Sequence, residues 1–403
     1  MTIWAKCIAA TAALWLATGA LADSWAPPRV QNFESANHQF RLTVHPRPFS
    51  DWLDYFTDKL CGREQAGTPA GNRQRSARAV MERSTAGGWK KVWSGPLANE
   101  LSPVSALVAD DGRHVVTFDN WHSMGQGENV VVIYGARGRL IQSLKLTDLV
   151  PEAYVRALPR SVSSIQWSGK HALSGDGDLL VLKVVVPSPN NDGKETIDLT
   201  VDLATGRPLP PSGPRWNAAL KAASATVDAR RRENEERNAR FRAPLLGPNS
   251  TGEREWHEYL REAFYRTAHD GRGSTSTTVL RLPDASDYAA SEKWVREKLT
   301  KEYFSKTRSF ASPSQDNLAK VMADAAKTLK TGDLSGVQIF LAVDNEHFER
   351  IAAALAPSGA DLIQHDPGKP IPQRPERLAA ADAPPRAAPA ARQEACAGDP
   401  KDR

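Results

Sequence analysis

The sequence predicts a multidomain α+β protein, with an N-terminal antiparallel all-β domain built of hairpins and a C-terminal helix-rich α+β domain. Three observations carry that expectation. Short runs rich in Val, Ile, Phe and Trp, separated by turn residues, fill the chain as far as residue 202. A Pro- and Gly-rich stretch, TGRPLPPSGP at 205–214, interrupts them, and beyond it apolar residues recur at helical spacing. The length of 403 residues also exceeds what one core commonly holds, about 250 to 300 residues.

The first segment, MTIWAKCIAATAALWLATGALA (1–22), has one early Lys6, an apolar run through Leu21 and the small-x-small ending Ala20-Leu21-Ala22. These are the parts of a secretory signal peptide cleaved before Asp23, so a periplasmic or secreted protein is expected. The run is close to transmembrane length, and an uncleaved anchor is the competing reading; membrane association is expected only in that case. Cys7 leaves with the peptide, while Cys61 and Cys396 remain. One disulfide between them, an intermolecular bond and two free thiols all fit an exported chain. The sequence has no CxxC and no Cys/His cluster with zinc spacing, so neither a metal nor another cofactor is expected.

Within 23–211 the expected strands are 40–44, 77–83, 89–95, 104–110, 114–119, 129–135, 139–146, 161–167, 179–186 and 196–202. The separators DDG, ARG, GDGD and NNDG make them successive antiparallel hairpins. Residues 46–76 interrupt the series. Phe49, Trp52, Leu53 and Phe56 fall at i, i+3, i+4 and i+7, which predicts a short amphipathic helix followed by a mobile loop. Such an element either binds a partner or covers an open edge of the β-domain.

SANHQFRLTV and ADDGRHVVTF share a small or acidic entry, a turn and a similar strand. The segment 108–144, VADDGRHVVTFDNW followed by VVVIYGARGRLIQSL, resembles the blade repeats of TolB-like β-propellers, with an Asp/Gly turn before a strand and Y-x-x-x-G in the next hairpin. The resemblance implies a propeller-like domain. About ten strands fill only two to three four-stranded blades, against at least four in a closed propeller. An incomplete propeller, an oligomeric one and a sandwich of hairpins therefore stay open.

The second domain is expected over 212–364. WNAALKAASATVDARRRENEERNARF, EREWHEYLREAFYRTAH, DASDYAASEKWVREKLTKEYF, SPSQDNLAKVMADAAKTLKTG and NEHFERIAAALAPSG are helix candidates, and TSTTVLRLP, VQIFLAV and ADLIQ are strand candidates. The βαβ order of 337–364 resembles half of the small periplasmic domain of ExbD and TolR transport components, which implies an accessory role in an envelope transport system. From 365 the chain is rich in Pro, Ala and Arg with few large apolar residues, so a disordered tail is expected over 365–403.

The formal net charge of +5 is mild and spread along the chain. The only dense run, DARRRENEERNARFR at 228–242, alternates in sign, so nucleic acid is not an expected partner. Site candidates concentrate in DNWHSMGQGEN: Asp119, Asn120, Trp121, His122 and Ser123 lie at a hairpin tip, where binding residues sit on a rigid support. The competing reading makes Asp119 and Asn120 strand-ending caps, Gly125 and Gly127 turn formers and Trp121 a cover for the core. Asp176 and Asp178 are expected to form a turn. His257 with Glu255, Glu258 and Glu262 lacks the second His of a zinc helix, and Glu346 with His347 opens a helix. Trp25, Trp89, Trp93, Trp121 and Trp167 are expected in hairpin and core packing.

The leading expectation is thus a non-enzymatic binding or interaction module for an envelope or extracellular protein or polymer. The alternative is a hydrolase of an envelope polymer or peptide with Asp119 and His122 in its site.

Overall fold

The structure is a computed structural model that describes residues 25–63, 65–161, 163–190, 193, 195–268, 273–301 and 306–383. The expected signal segment 1–22 and the end of the chain from 384 lie outside the described residues. The chain forms two compact units that divide between Glu233 and Asn234.

The first unit contains three antiparallel meanders in chain order. Strands β1 (Gln31–Glu34), β2 (Phe40–His45), β3 (Arg78–Thr85) and β4 (Gly88–Pro96) form one sheet, with helix α1 (Trp52–Leu60) inserted between β2 and β3. The second sheet is β5 (Ser105–Val108), β6 (Val115–Phe118), β7 (Val131–Tyr134) and β8 (Leu140–Leu144). Two short helices, α2 (Leu146–Leu149) and α3 (Glu152–Ala157), lead to the third, made of β9 (Ala172–Leu173), β10 (Leu179–Val185) and β11 (Thr196–Asp202).

Alternation of side chains makes these sheets into layers. In β6 and β7 every residue is buried. Val116, Phe118, Val131 and Ile133 pack with Leu180, Leu182 and Val184 of the third sheet, while Val115, Val132 and Tyr134 pack with Leu42, Val44, Ala79 and Met81 of the first. The middle sheet is therefore apolar on both faces. The two outer sheets present polar far faces: Arg41 pairs with Glu82 at 2.6 Å and lies over the Trp89 ring, and Lys183 pairs with Asp198 at 2.6 Å.

The strand expected over 161–167 is not formed at residues 163–167, which run as a loop with the Ile165 amide donating to Met124 O and the Gln166 amide to Pro159 O, each at 2.8 Å. Helix α4 (Pro214–Arg242) begins near the expected boundary, but its first turns belong to the β unit. Ala219 and Ala223 enter the core there, and Trp216 stacks on Tyr154 at 5.8 Å.

The second unit alternates strand and helix after α5 (Glu253–Thr267): β12 (Ser276–Val279), α6 (Tyr288–Thr300), β13 (Thr307–Ala311), α7 (Gln315–Ala326), β14 (Gln338–Ala342), α8 (Asn345–Leu355) and β15 (Asp361–Gln364). All neighbours in this sheet are parallel and follow chain order. Leu280, Phe310, Ile339 and Leu341 face α6, α7 and α8; Val279, Ala311 and Ala342 face Trp256, Tyr259, Leu260 and Ala263 of α5. Small alanines on that side let α5 lie close to the sheet. The order contains no reversal, so it makes no switch-point crevice of the kind that binds ligands in doubly wound folds.

Strand β13 was not expected, because TRSFA carries polar residues where a buried strand is usually apolar. Its Arg308 is buried and donates to the α6 carbonyls of Lys298 and Leu299, at 2.9 and 2.8 Å; Ser309 bonds Thr275 at 2.6 Å.

The expectation of a disordered tail from 365 is corrected for 365–383. Leu245 and Ile371 exchange backbone bonds of 2.8 Å, and Pro375–Asp382 form helix α9. Ile371 packs against the α5 side of the sheet, and polar pairing does the rest. Buried Arg266 donates to Phe241 O (3.1 Å), Ala243 O (2.8 Å), Ile371 O (2.9 Å) and Glu262 (2.9 Å). Gln373 donates to the same Phe241 O at 2.9 Å, and Arg377 to Glu262 at 3.0 Å. One guanidinium thus satisfies the carbonyls left open at the end of α4.

Arg266→Met takes that donor from three part-buried carbonyls; Phe241 O keeps Gln373 and Ile371 O keeps the Leu245 amide, while Ala243 O loses its Arg266 bond with no second donor beside it among the described residues. The expected loss, read from urea unfolding of the second unit, is about 1 to 3 kcal/mol; a loss below about 0.5 kcal/mol would mean that other groups hold the α4 end.

Candidate functional site

The turn joining β6 to β7 carries the residues singled out from the sequence. Asp119 and His122 both adopt positive φ, +59° and +63°, which turns the backbone sharply at two non-glycine positions. Gly125 closes the turn at φ +69°, and a Cβ there would stand 2.8 Å from the Ile165 side chain.

Asp119 is buried at 3 % exposure. Its carboxylate accepts from the Gly125 amide at 2.6 Å and from Trp167 Nε1 at 3.1 Å. Burial raises its pKa to about 6, against the opposing pull of those two N–H groups. The Trp167 ring in turn stacks on His171 at 4.9 Å, and His171 lies 4.5 Å from Phe118. The Lys183 amide donates to His171 Nδ1 at 3.1 Å, and burial pushes this imidazole down to about 4.

Asn120 ties the turn to the 97–104 segment: its Oδ1 accepts from the Glu100 amide at 3.1 Å, and its carbonyl accepts from the Ser123 amide at 3.0 Å. The Ser123 hydroxyl donates to that same carbonyl, at 3.5 Å. Trp121 is 6 % exposed, with its amide on Ser102 O at 2.8 Å and its Nε1 on Ala26 O at 2.9 Å.

Helix α1 lies over this turn. Asp51 caps it by accepting from the Asp54 amide at 2.9 Å. Trp52 and Tyr55 approach Trp121 at 4.9 and 5.5 Å, and Phe56 approaches His122 at 4.5 Å. Phe49 joins from the preceding loop at 5.6 Å from Trp121. The expected inner stripe is corrected at one position: Leu53 faces outward, 72 % exposed, and Tyr55 takes the inner place. Buried Arg47 holds the loop after the helix through Ala66 O at 2.7 Å and pairs with Glu100, beyond β4, at 3.4 Å. Cys61, just past the helix, is disulfide-bonded; the chain's other cysteines, Cys7 and Cys396, lie outside the described residues.

The structure therefore brings His122 and Trp121 together with aromatic rings and takes Asp119 away from them. The Asp119 carboxylate bonds neither His122 nor Ser123, so these three do not form an acid–base–nucleophile set. His122 lies 5.8 Å from the Trp25 ring and 6.2 Å from Trp52, half-buried like both. The arrangement can present aromatic surface and hydrogen bonds.

The remaining candidates are local. Asp176 accepts from Ser174 and from the Asp178 amide, a turn. His257 bonds Thr277 at 2.8 Å, and His347 bonds Asp344, the cap of α8, at 2.6 Å. Among the described residues no group of three or more His, Cys, Asp or Glu is placed to hold a metal, and no helix is long and apolar enough to cross a membrane. A concavity of about 690 Å³ in the second unit is lined by Arg240, Phe241, Leu246, Tyr259, Glu262 and Arg266. Its Glu262 and Arg266 are already committed to the α4 end.

The roles of Trp25 and Trp167 as direct partners of the turn were not readable from the sequence. Trp25 and Trp121 stand far apart in the chain, with no periodic signal linking them.

Asp119→Ala removes the acceptor of two buried N–H groups and is expected to cost about 2 to 4 kcal/mol. Asp119→Asn keeps one acceptor and suits the positive φ, so its cost at pH 7 is expected within about 1 kcal/mol. The folded state holds the Asp119 proton more tightly than the unfolded chain does. Its contribution is therefore full below about pH 4 and is lost as the pH rises through about 6. Unfolding of wild type and Asp119→Asn between pH 4 and 7 should show the wild type gaining on the order of 2 kcal/mol relative to the variant at the acid end; parallel curves would remove the buried-proton account. In comparisons with known proteins, the chain matches no family model, and no curated protein aligns with it at a significant level.

Proposed function

We propose that the protein is an exported binding or protein-interaction module, built on a propeller-like stack of three sheets, whose contact face is the aromatic turn and the outer side of α1. The observation that carries this reading is the exposure of Leu53 and Leu60, 72 % and 59 %, one above the other at i and i+7 on α1. The inner side of the same helix carries half-buried Trp52 and Phe56, which pack against Trp121 and His122, so the exposed leucines stand on a firmly seated support. Aromatic anchors of this kind dominate contact energies in protein interfaces.

The propeller-like description draws support from three successive meanders packed face to face and from the Asp/Gly turn repeat. The signal-like segment 1–22 supports a periplasmic or secreted location, and with it a partner among envelope or extracellular proteins or polymers. The hydrolase alternative draws no support from Asp119, whose carboxylate is committed to Gly125 and Trp167.

The test is Leu53→Lys together with Leu60→Lys. Both side chains are exposed, so unfolding free energy is expected to change by less than about 0.5 kcal/mol per site. Proteins or polymers captured by the wild type from envelope extract should drop at least tenfold with the double variant. Equal capture, or no capture by the wild type, would sink the reading.

A further inference from the structure

Trp25 and Ala26 lie on the aromatic turn in the way a bound ligand would. The Trp25 indole donates Nε1 to Ser163 Oγ at 3.2 Å, and its ring stands edge-on to Trp121 at 6.5 Å and tilted to His122 at 5.8 Å. Ala26 offers its carbonyl to Trp121 Nε1 at 2.9 Å. Residues 25–30 belong to no helix or strand, so no sheet ladder or helical bonding fixes this segment in place.

The groups that receive it are fixed by other contacts. Trp121 is held by its amide bond to Ser102 and by the rings of Trp52, Tyr55 and Phe49. Ser163 is buried, near Ile165, whose amide is tied to Met124. Trp25 itself stays partly exposed. The seat is thus preformed, and its occupant is attached by one indole, one N–H bond and one carbonyl.

We propose that this seat is a recognition site for an extended, tryptophan-bearing segment of a partner protein, and that the chain's own Trp25 is the resident occupant which such a segment displaces. The proposal rests on the reading of the aromatic turn as a contact face and supplies the partner's chemistry: an indole N–H for Ser163, followed by a backbone carbonyl for Trp121. A tethered occupant competes at an effective concentration in the millimolar range, so removing it should raise the apparent affinity for a free segment.

The experiment titrates an acetylated, amidated peptide copying residues 25–30, Trp-Ala-Pro-Pro-Arg-Val, into full-length protein, with 5-fluorotryptophan in the peptide as the NMR reporter. Trp25→Ala is expected to bind it saturably and at least tenfold more tightly than the wild type. Trp25→Phe, which loses only the bond to Ser163 and keeps an aromatic occupant, should fall between. A peptide with Ala in place of the fluorotryptophan, followed through its own proton signals, should not bind. Absence of saturable binding to Trp25→Ala that retains the wild-type far-UV spectrum and cooperative unfolding would overturn the proposal, as would equal affinity for the two peptides. Only purified protein and peptide are used, so the outcome stays readable whether or not Leu53 and Leu60 govern capture from extract.

Discussion

Burial of β6 and β7 on both faces is the constraint from which the first unit is built. A strand pair with no solvent side needs apolar cover twice over, and the first and third sheets supply it from opposite directions. The turn leaving β6 inherits the same dryness. Asp119 follows the fully buried strand directly, so its carboxylate has to find N–H partners inside the protein, and Gly125 and Trp167 are those within reach. The positive φ at Asp119 and His122 follows from turning the chain within that small space, and it sends Trp121 toward α1.

Protonation acts in opposite senses within this unit. Burial favours the protonated form of the Asp119 acid and the neutral form of the His171 imidazole, because each is the uncharged state. As the pH falls from about 6.5 toward 4, the histidine costs stability while the carboxyl restores some. His365 in the second unit, held down to about 4 by burial, adds a loss of the same sign as His171.

Much of the β unit was legible because Val, Ile and Phe runs bounded by Asp, Gly and Asn specify hairpins locally. What failed did so for physical reasons. Ile165 and Trp167 alternate like strand residues, yet they enter the core from a loop whose amides bond elsewhere. β13 and residues 371–382 were missed because much of their order comes from arginine and glutamine side chains on backbone carbonyls, which hydropathy does not register. At the turn, residue types were readable but burial was not. Whether Trp121 faces water is decided by α1, far upstream, and by Trp25, farther still.

The polar far faces of the outer sheets also bear on how this architecture grows. A further hairpin copied onto either end by gene duplication would have to cover Arg41 with Glu82, or Lys183 with Asp198, taking ion pairs out of water at a cost of several kcal/mol. A duplicated unit inserted beside the middle sheet would meet apolar surface instead. The stack is therefore open to enlargement from within and closed to it at both ends.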